Sequence, residues 1–508
     1  MDLTLRGDYF NGAFTAPNGL STKDINSSDE KILKTCPGDT SHILWDAQVS
    51  YNSIDSVIDS AIAGSKEWRK TDFTTRINLL KKFGEIATER KEHIATAIAL
   101  ETGKPLWESL TEAGAIAAKV NVTINDSLAR IETKTIKEVL PHIDGHILYK
   151  PLGPCLVIGP FNFPCHLANG QILSALLGGN SIIFKPSEKT IYSSQLLIEC
   201  LHDAGFPKGV INFINGTAKT TQDILKHPSI KGIFFTGSFA VGKKILEAVG
   251  TDVTKLVALE MGGKNSSIIH SDVNLDHALP ELLNACFLSS GQRCTSTSMI
   301  LVHRSVEQEF IGRFKELTER IIFDHPTKFK TTPFMGPLID QMAKDKYLAS
   351  IALGEKNGAE ALIAHQEVEM PFQGHYCNPT IHYLKEANKE NPFTQEEIFA
   401  PNVCITPYDE FEDAIELANI SDYGLAASIF TSDKELYKLA LRDIEAGIIN
   451  LNRSTVGASS RLPFGGLKHS GNHHPAAVSM IDYTVGTVAS LETQDMSSSI
   501  NNIVGLKA

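Results

Sequence analysis

From residue 155 onward, short apolar runs alternate with amphipathic segments, and this alternation restricts the folds open to the chain more than any other feature. The runs Cys155–Ile158, Ser181–Phe184, Val210–Ile214, Gly232–Thr236 and Leu256–Leu259 carry almost no polar residue. Runs that short and that uniformly apolar fit strands covered on both faces. Helix candidates at 167–177, 190–203, 218–226 and 240–249 separate them. Strand and helix in strict succession predict a parallel, doubly wound α/β sheet. The pattern resumes near Ile268, Ile300–Val302 and Gly447–Leu451, which predicts a second α/β domain. Upstream, residues 54–101 read as helices, with Leu79, Phe83, Ile86 and Ile94, Ile98 three or four apart. The second stops at Gly103-Lys104-Pro105.

A chain of 508 residues exceeds one ordinary core, so two or three domains are expected. The net charge of −12 is dispersed, which argues against nucleic acid or an anionic membrane as partner. No apolar run reaches about 18 residues, and the first residues lack the basic and apolar regions of a signal peptide. None of the eight cysteines forms a C-x-x-C pair, so free thiols in a reducing cytoplasm are expected. The 17 histidines, His473-His474 among them, show no H-E-x-x-H or comparable spacing, and no metal is expected.

Two strings carry candidate chemistry. Gly291-Gln-Arg-Cys-Thr295 offers a nucleophile in Cys294, and Leu259-Glu-Met-Gly-Gly-Lys264 offers a base in Glu260. Both lie beside glycines, where a backbone can approach a ligand. Cys286, in the apolar stretch 284–288, reads as core, whereas Cys165 is a rival nucleophile. Gly237-Ser238-Phe239-Ala240-Val241-Gly242 follows a strand and opens a helix, where N–H groups can meet a pyrophosphate, although the usual G-x-G-x-x-G string is missing. Lys185 and Glu188 fall just past a strand, where the crevice of such a sheet opens.

Together with Gly159-Pro-Phe-Asn-Phe-Pro164, Lys185-Pro-Ser-Glu188, Glu396-Glu-Ile-Phe-Ala-Pro401 and Pro463-Phe-Gly-Gly-Leu-Lys-His-Ser-Gly471, in that order, these strings resemble the aldehyde dehydrogenase superfamily over nearly the whole chain. The resemblance implies Cys294 as nucleophile, Glu260 as the base for thioester hydrolysis, and the Asn162 amide with the Cys294 N–H as oxyanion donors. It implies NAD as the hydride acceptor, contacted by Lys185, Glu188, residues 237–242, Glu397 and Phe399. Glu188 would repel a 2′-phosphate, and Ala400 replaces the glycine usual after Phe399.

The resemblance also sets domain expectations. Residues 1–128 and 150–259 would bind NAD, and 260–470 would form the catalytic domain. Residues 129–149 and 471–492 would form an arm joining a homo-oligomer, and 493–508 a loosely ordered tail. Within the superfamily, the segments 159–170, 258–263, 471–475 and 488–492 are similar to enzymes that oxidise N-succinylglutamate 5-semialdehyde in arginine breakdown. Free glutamate 5-semialdehyde is the alternative substrate, and a non-catalytic scaffold the alternative of another class. Lys264, Arg461 and Cys165 depart from that subfamily pattern. For the substrate carboxylates, Gly457, Ala458 and Ser459 offer N–H groups and a hydroxyl, and Arg461 a bidentate clamp.

Overall fold

The computed structural model describes residues 3–15, 30–49, 51–494, 496 and 505. The apolar runs become parallel strands of a seven-stranded sheet, ordered Leu256–Glu260, Gly232–Thr236, Cys155–Ile158, Ile182–Lys185, Ile211–Phe213, with the short antiparallel strands Tyr9–Phe10 and Ala13–Phe14 at one edge. Helices cover both faces. Cys155, Val157 and Phe184 pack into one core cluster, and their neighbours Leu156, Ile158 and Ile183 into the cluster opposite. Each such side chain contributes about 1.5–3 kcal/mol by leaving water, which is why these runs read so plainly as strands.

The chain moves outward from Cys155–Ile158 through Ile182–Lys185 to Ile211–Phe213. It then returns to Gly232–Thr236 on the other side. Strand order therefore reverses between Cys155–Ile158 and Gly232–Thr236, and a crevice opens at their carboxyl ends. The helices between are His166–Leu177, Ile191–Ala204, Ala218–Lys226 and Phe239–Val249.

A second seven-stranded sheet runs Glu360–Ile363, Thr380–Tyr383, Asn402–Tyr408, Thr297–His303, Asn265–Ile269, Ala426–Phe430, Ile448–Leu451, parallel except at its first strand. It too is buried on both faces. A third sheet of three antiparallel strands joins Lys134–Leu140, Ile143–Pro151 and Val485–Thr493. Its last strand takes up only the end of the 471–492 segment. The residues before it stay beside the first two sheets, where Ala476–Ala477 pairs with Pro463–Phe464. The expected tail lies outside the described residues apart from four positions between 493 and 505.

The stretch 54–101 holds three helices rather than two: Ile54–Trp68, Phe73–Glu89 and Lys91–Thr102. The last is closed by Gly103 at φ +84°, a left-handed cap that suits glycine. A further helix, Leu106–Val122, buries Glu108, Glu112 and Lys119 on one face. Among the described residues no helix is long and apolar enough to cross a membrane.

Candidate active site

The cysteine loop follows the helix Leu275–Phe287. Ser289, Ser290 and Gly291 turn it with φ of 54°, 56° and 71°. Two non-glycine residues in the left-handed region cost about 1–3 kcal/mol each and need support. Glu108 provides it: the carboxylate accepts from the Ser289 N–H at 3.1 Å, from the Ser289 hydroxyl, and from Arg293 Nη2 at 2.6 Å. The Ser290 hydroxyl donates to the Gly336 carbonyl at 2.6 Å. A Cβ on Gly291 would stand 2.2 Å from the Ala400 carbonyl oxygen, so that position requires glycine. Asn265 Nδ2 donates to the Cys294 carbonyl at 2.7 Å, which fixes the backbone of the candidate nucleophile. Arg293 spends its charge on Glu108 and leaves none to activate its neighbour.

Asn162 sits on the loop that leaves the strand Cys155–Ile158. Its Nδ2 donates to the Gln292 carbonyl at 2.9 Å, so the amide is pinned to the cysteine loop and has a second N–H to offer. Glu112 holds the other end of the Asn162 loop. It accepts from the N–H groups of Cys165 at 3.0 Å and His166 at 3.1 Å, and pairs with buried Lys104. The Phe163 ring lies between two cations, with Lys104 Nζ 4.1 Å and the Arg293 guanidinium carbon 5.1 Å from its centre.

Glu260 ends the strand Leu256–Glu260. One carboxylate oxygen accepts from the Ala476 N–H at 3.1 Å, and Oε2 is buried without a partner. Burial pushes this carboxyl well above the usual range, offset in part by the Ala476 bond. Glu397 accepts from the Gly263 N–H at 3.2 Å and is pushed up to about 7, chiefly by burial. A Cβ on Gly262 would lie 2.1 Å from its Oε2, so this glycine leaves room for the carboxylate. Lys264 is buried, its ammonium unpartnered and pushed down to about 8 by burial. Of the eight cysteines only Cys294 is not buried. Its thiol is nonetheless pushed up to about 12, first by loss of solvent and then by the charges of Glu397 and Glu260.

Cys294, Glu260 and Asn162 line one cleft of about 1020 Å³ at the reversal of strand order, together with Lys185, Glu188, Gly237, Ser238, Val241, Glu397 and Phe399. Lys185 is buried and donates to the carbonyls of Pro186 at 2.5 Å and Gly216 at 2.9 Å. Phe399 takes φ 59° and meets the Phe161 ring edge-on at 5.8 Å.

Other expected contacts fall elsewhere. Phe239 stacks on His469 at 3.8 Å, Gly242 packs against Met261, and Ala240 is exposed outside the lining. Gly457, Ala458 and Ser459 are exposed and also lie outside the lining. Arg461, read from the sequence as a substrate clamp, instead grips Asp126 through bonds of 3.2 and 3.0 Å, a carboxylate supplied by the chain itself. Sequence reasoning missed Glu108, Glu112, Gln292 and Asn265. The signal for the first two is a pair of glutamates four apart on the side of a helix that Ala113, Ile116 and Val120 mark as core.

Glu108→Ala strands Arg293 and frees the left-handed turn. Breaking a buried pair of this kind costs about 3–5 kcal/mol, and a shift of about 1 Å in the nucleophile costs about 100-fold in rate. A lower melting temperature and a reduced kcat are expected together. A variant matching the wild type in both would show that Glu108 does not hold the loop.

Known proteins share this chain's sequence and fold. The aldehyde dehydrogenase family matches residues 25–487. An N-succinylglutamate 5-semialdehyde dehydrogenase from Legionella pneumophila (strain Corby) is 35% identical, covering 99% of this chain and 98% of its own. One from Burkholderia multivorans (strain ATCC 17616 / 249) is 36% identical over 96% and 97%. Among solved structures, 1-pyrroline-5-carboxylate dehydrogenase from Thermus with bound NAD superposes with a TM-score of 0.87 at 25% identity, covering 96% of this chain and 93% of that one. Family match, near full-length relatives and a cleft that gathers cysteine, glutamate and asparagine lead to one conclusion: the chain belongs to the aldehyde dehydrogenase family.

Proposed function

We propose that the protein oxidises N-succinyl-L-glutamate 5-semialdehyde to N-succinyl-L-glutamate with NAD, as a cytoplasmic step of arginine breakdown. The observation that carries the chemistry is the convergence of Cys294, Asn162 and an unpartnered Glu260 oxygen on one cleft. The choice of aldehyde is supported by the relatives at 35–36% identity.

The cleft suits a dinucleotide. The helix Phe239–Val249 begins behind Ser238, whose carbonyl takes the Val241 and Gly242 N–H groups but whose side chain makes no cap, leaving the N–H groups of Phe239 and Ala240 to meet a phosphate. Ile158, Pro160, Leu225, Phe235 and Ile245 give the apolar walls that an adenine or nicotinamide ring needs. Glu188 is exposed at the cleft, where its carboxylate suits ribose hydroxyls. When bound, NAD would take the hydride from the aldehyde carbon.

This chain's residues do the rest. Cys294 Sγ attacks the aldehyde carbon as its proton passes to water in the cleft, since burial raises the thiol's pKa and disfavours a standing thiolate. The free N–H of Asn162 and the Cys294 N–H receive the developing oxyanion. Once the carbon is oxidised to a thioester, Glu260 takes a proton from water through its free Oε2, and the resulting hydroxide attacks the acyl carbon. The C–S bond breaks, the Cys294 thiolate takes back the proton that Glu260 holds, and the acid product leaves.

NADH formation with succinylated and with free glutamate semialdehyde, using NAD and NADP in turn, tests both choices. The succinylated aldehyde and NAD are expected to give the higher kcat/KM, with Glu188→Gln narrowing the cofactor preference. A preference for the free aldehyde would move the function to that substrate. Equal efficiency with both cofactors would remove Glu188 from cofactor selection. The same reading takes the three-stranded sheet as an arm between copies of the chain. All seven residues of its edge strand Lys134–Leu140 are exposed, Ile136 and Leu140 by about half.

A further inference from the structure

The helix Leu106–Val122 carries a third charged residue on the face that holds Glu108 and Glu112. Lys119 lies two turns beyond Glu112 and is only 4% exposed. Glu108 and Glu112 are saturated with donors, but Lys119 has no hydrogen bond or ion pair among the described residues. Burial alone, with no carboxylate to offset it, pushes its ammonium down to about 8. A largely buried ammonium with no carboxylate beside it is costly, and such a group near a cleft is a candidate for contact with an anionic ligand.

Its surroundings point to which ligand. The lysine stem lies along Gly170, where a Cβ would stand 3.1 Å from its Cε and 3.7 Å from its Nζ. Gly170 and His166 form one row of the helix His166–Leu177, which starts directly behind the Asn162 loop. The next row, Leu167 and Gln171, lines the cleft, and Gln171 Nε2 donates to Thr236 Oγ1 at 3.1 Å. Adjacent rows are about 100° apart around a helix, so Lys119 and His166 stand next to the cleft's lining rather than in it, one helix row behind Leu167 and Gln171. His166 faces the same region. Its Nδ1 is buried without a partner, and burial keeps the ring neutral at pH 7 against the nearby Glu112 carboxylate, aided by the charges of Lys119 and Lys104. The other cation expected here, Arg461, is engaged by Asp126.

We propose that Lys119, with the His166 ring beside it, forms an anion subsite that binds a carboxylate of the aldehyde substrate remote from its reacting carbon. The proposal rests on the function above for the substrate being carboxylated, but not for the succinyl group. Lys119 is thus a specificity residue and takes no part in bond making.

The test uses the full-length enzyme with NAD and three aldehydes: succinylglutamate semialdehyde, glutamate semialdehyde and uncharged pentanal. The readout is kcat/KM for each carboxylated aldehyde divided by that for pentanal. One charge-assisted hydrogen bond corresponds to about 10- to 100-fold, so K119M and K119Q are expected to lower this ratio by that factor, and K119R to restore most of it. An unchanged ratio, or equal losses on all three aldehydes, would overturn the proposal. So would failure of both uncharged variants to fold while K119R folds, since the charge would then be structural. A wild type that prefers free over succinylated glutamate semialdehyde would refute the assigned substrate, while the ratio to pentanal would still judge the subsite.

Discussion

Cys294→Ala is expected to abolish aldehyde oxidation, with kcat reduced about 10,000-fold or more, while NAD binding stays near that of the wild type. The reasoning is positional. Asn265 and Asn162 clamp the backbone on either side of residue 294, and Glu108 holds the turn before it, so removing one sulfur leaves the loop in place. The other cysteines cannot substitute. Cys165 is fully buried, its Sγ bonded to the Ser193 carbonyl at 3.3 Å, and Cys286 is buried in the core of the second sheet. Titration with NAD under fluorescence, alongside steady-state assay, reads both quantities. Turnover within tenfold of wild type would sink the nucleophile assignment, and Cys165→Ala would be the next variant.

Glu260→Gln is expected to produce a burst of NADH followed by turnover slowed about 100- to 10,000-fold, the range for loss of a general base. The amide keeps an oxygen for the Ala476 N–H, so the local fold survives, but it cannot take a proton from water. The pH profile provides an independent sign. Burial raises the Glu260 carboxyl, so its basic form grows only above that elevated pKa. Thioester hydrolysis in the wild type should therefore rise with pH, and the Gln variant should lose that rise. Stopped-flow traces at several pH values distinguish the cases. A variant with no burst would place Glu260 in the first half of the reaction as well.

The first large sheet was legible because its strands, buried on both faces, are almost wholly apolar; of the second only the strands near Ile268, Ile300–Val302 and Gly447–Leu451 were, since Thr380–Tyr383 and Asn402–Tyr408 bury polar residues that interrupt the pattern. The N-terminal hairpin of Glu30–Cys36 and Asp39–Val49 was not, since its polar and apolar residues are mixed and its pairing depends on a turn. The helix Leu106–Val122 escaped notice for the opposite reason. Its buried face carries Glu108, Glu112 and Lys119, which a hydrophobic pattern counts as solvent-facing. Motif strings identified the residues that gather at the cleft, because they sit where strands end and the backbone is constrained. The same strings overreached within 237–242. A helix turns its residues through a full circle, so Val241 faces the cleft while Phe239 and Gly242 pack against His469 and Met261. Nor can a string show that Asp126, far away in sequence, pairs with Arg461.

Glu108 and Glu112 share one rigid helix, a single turn apart, yet one steadies the sulfur-bearing loop and the other the amide-bearing loop. Thermal motion that rocks this helix carries both loops with it, so their displacements are correlated rather than independent. The gap between attacking atom and oxyanion donor then varies less than the position of either. Two loops that belong to different sheets are thus tied to each other through one shared support.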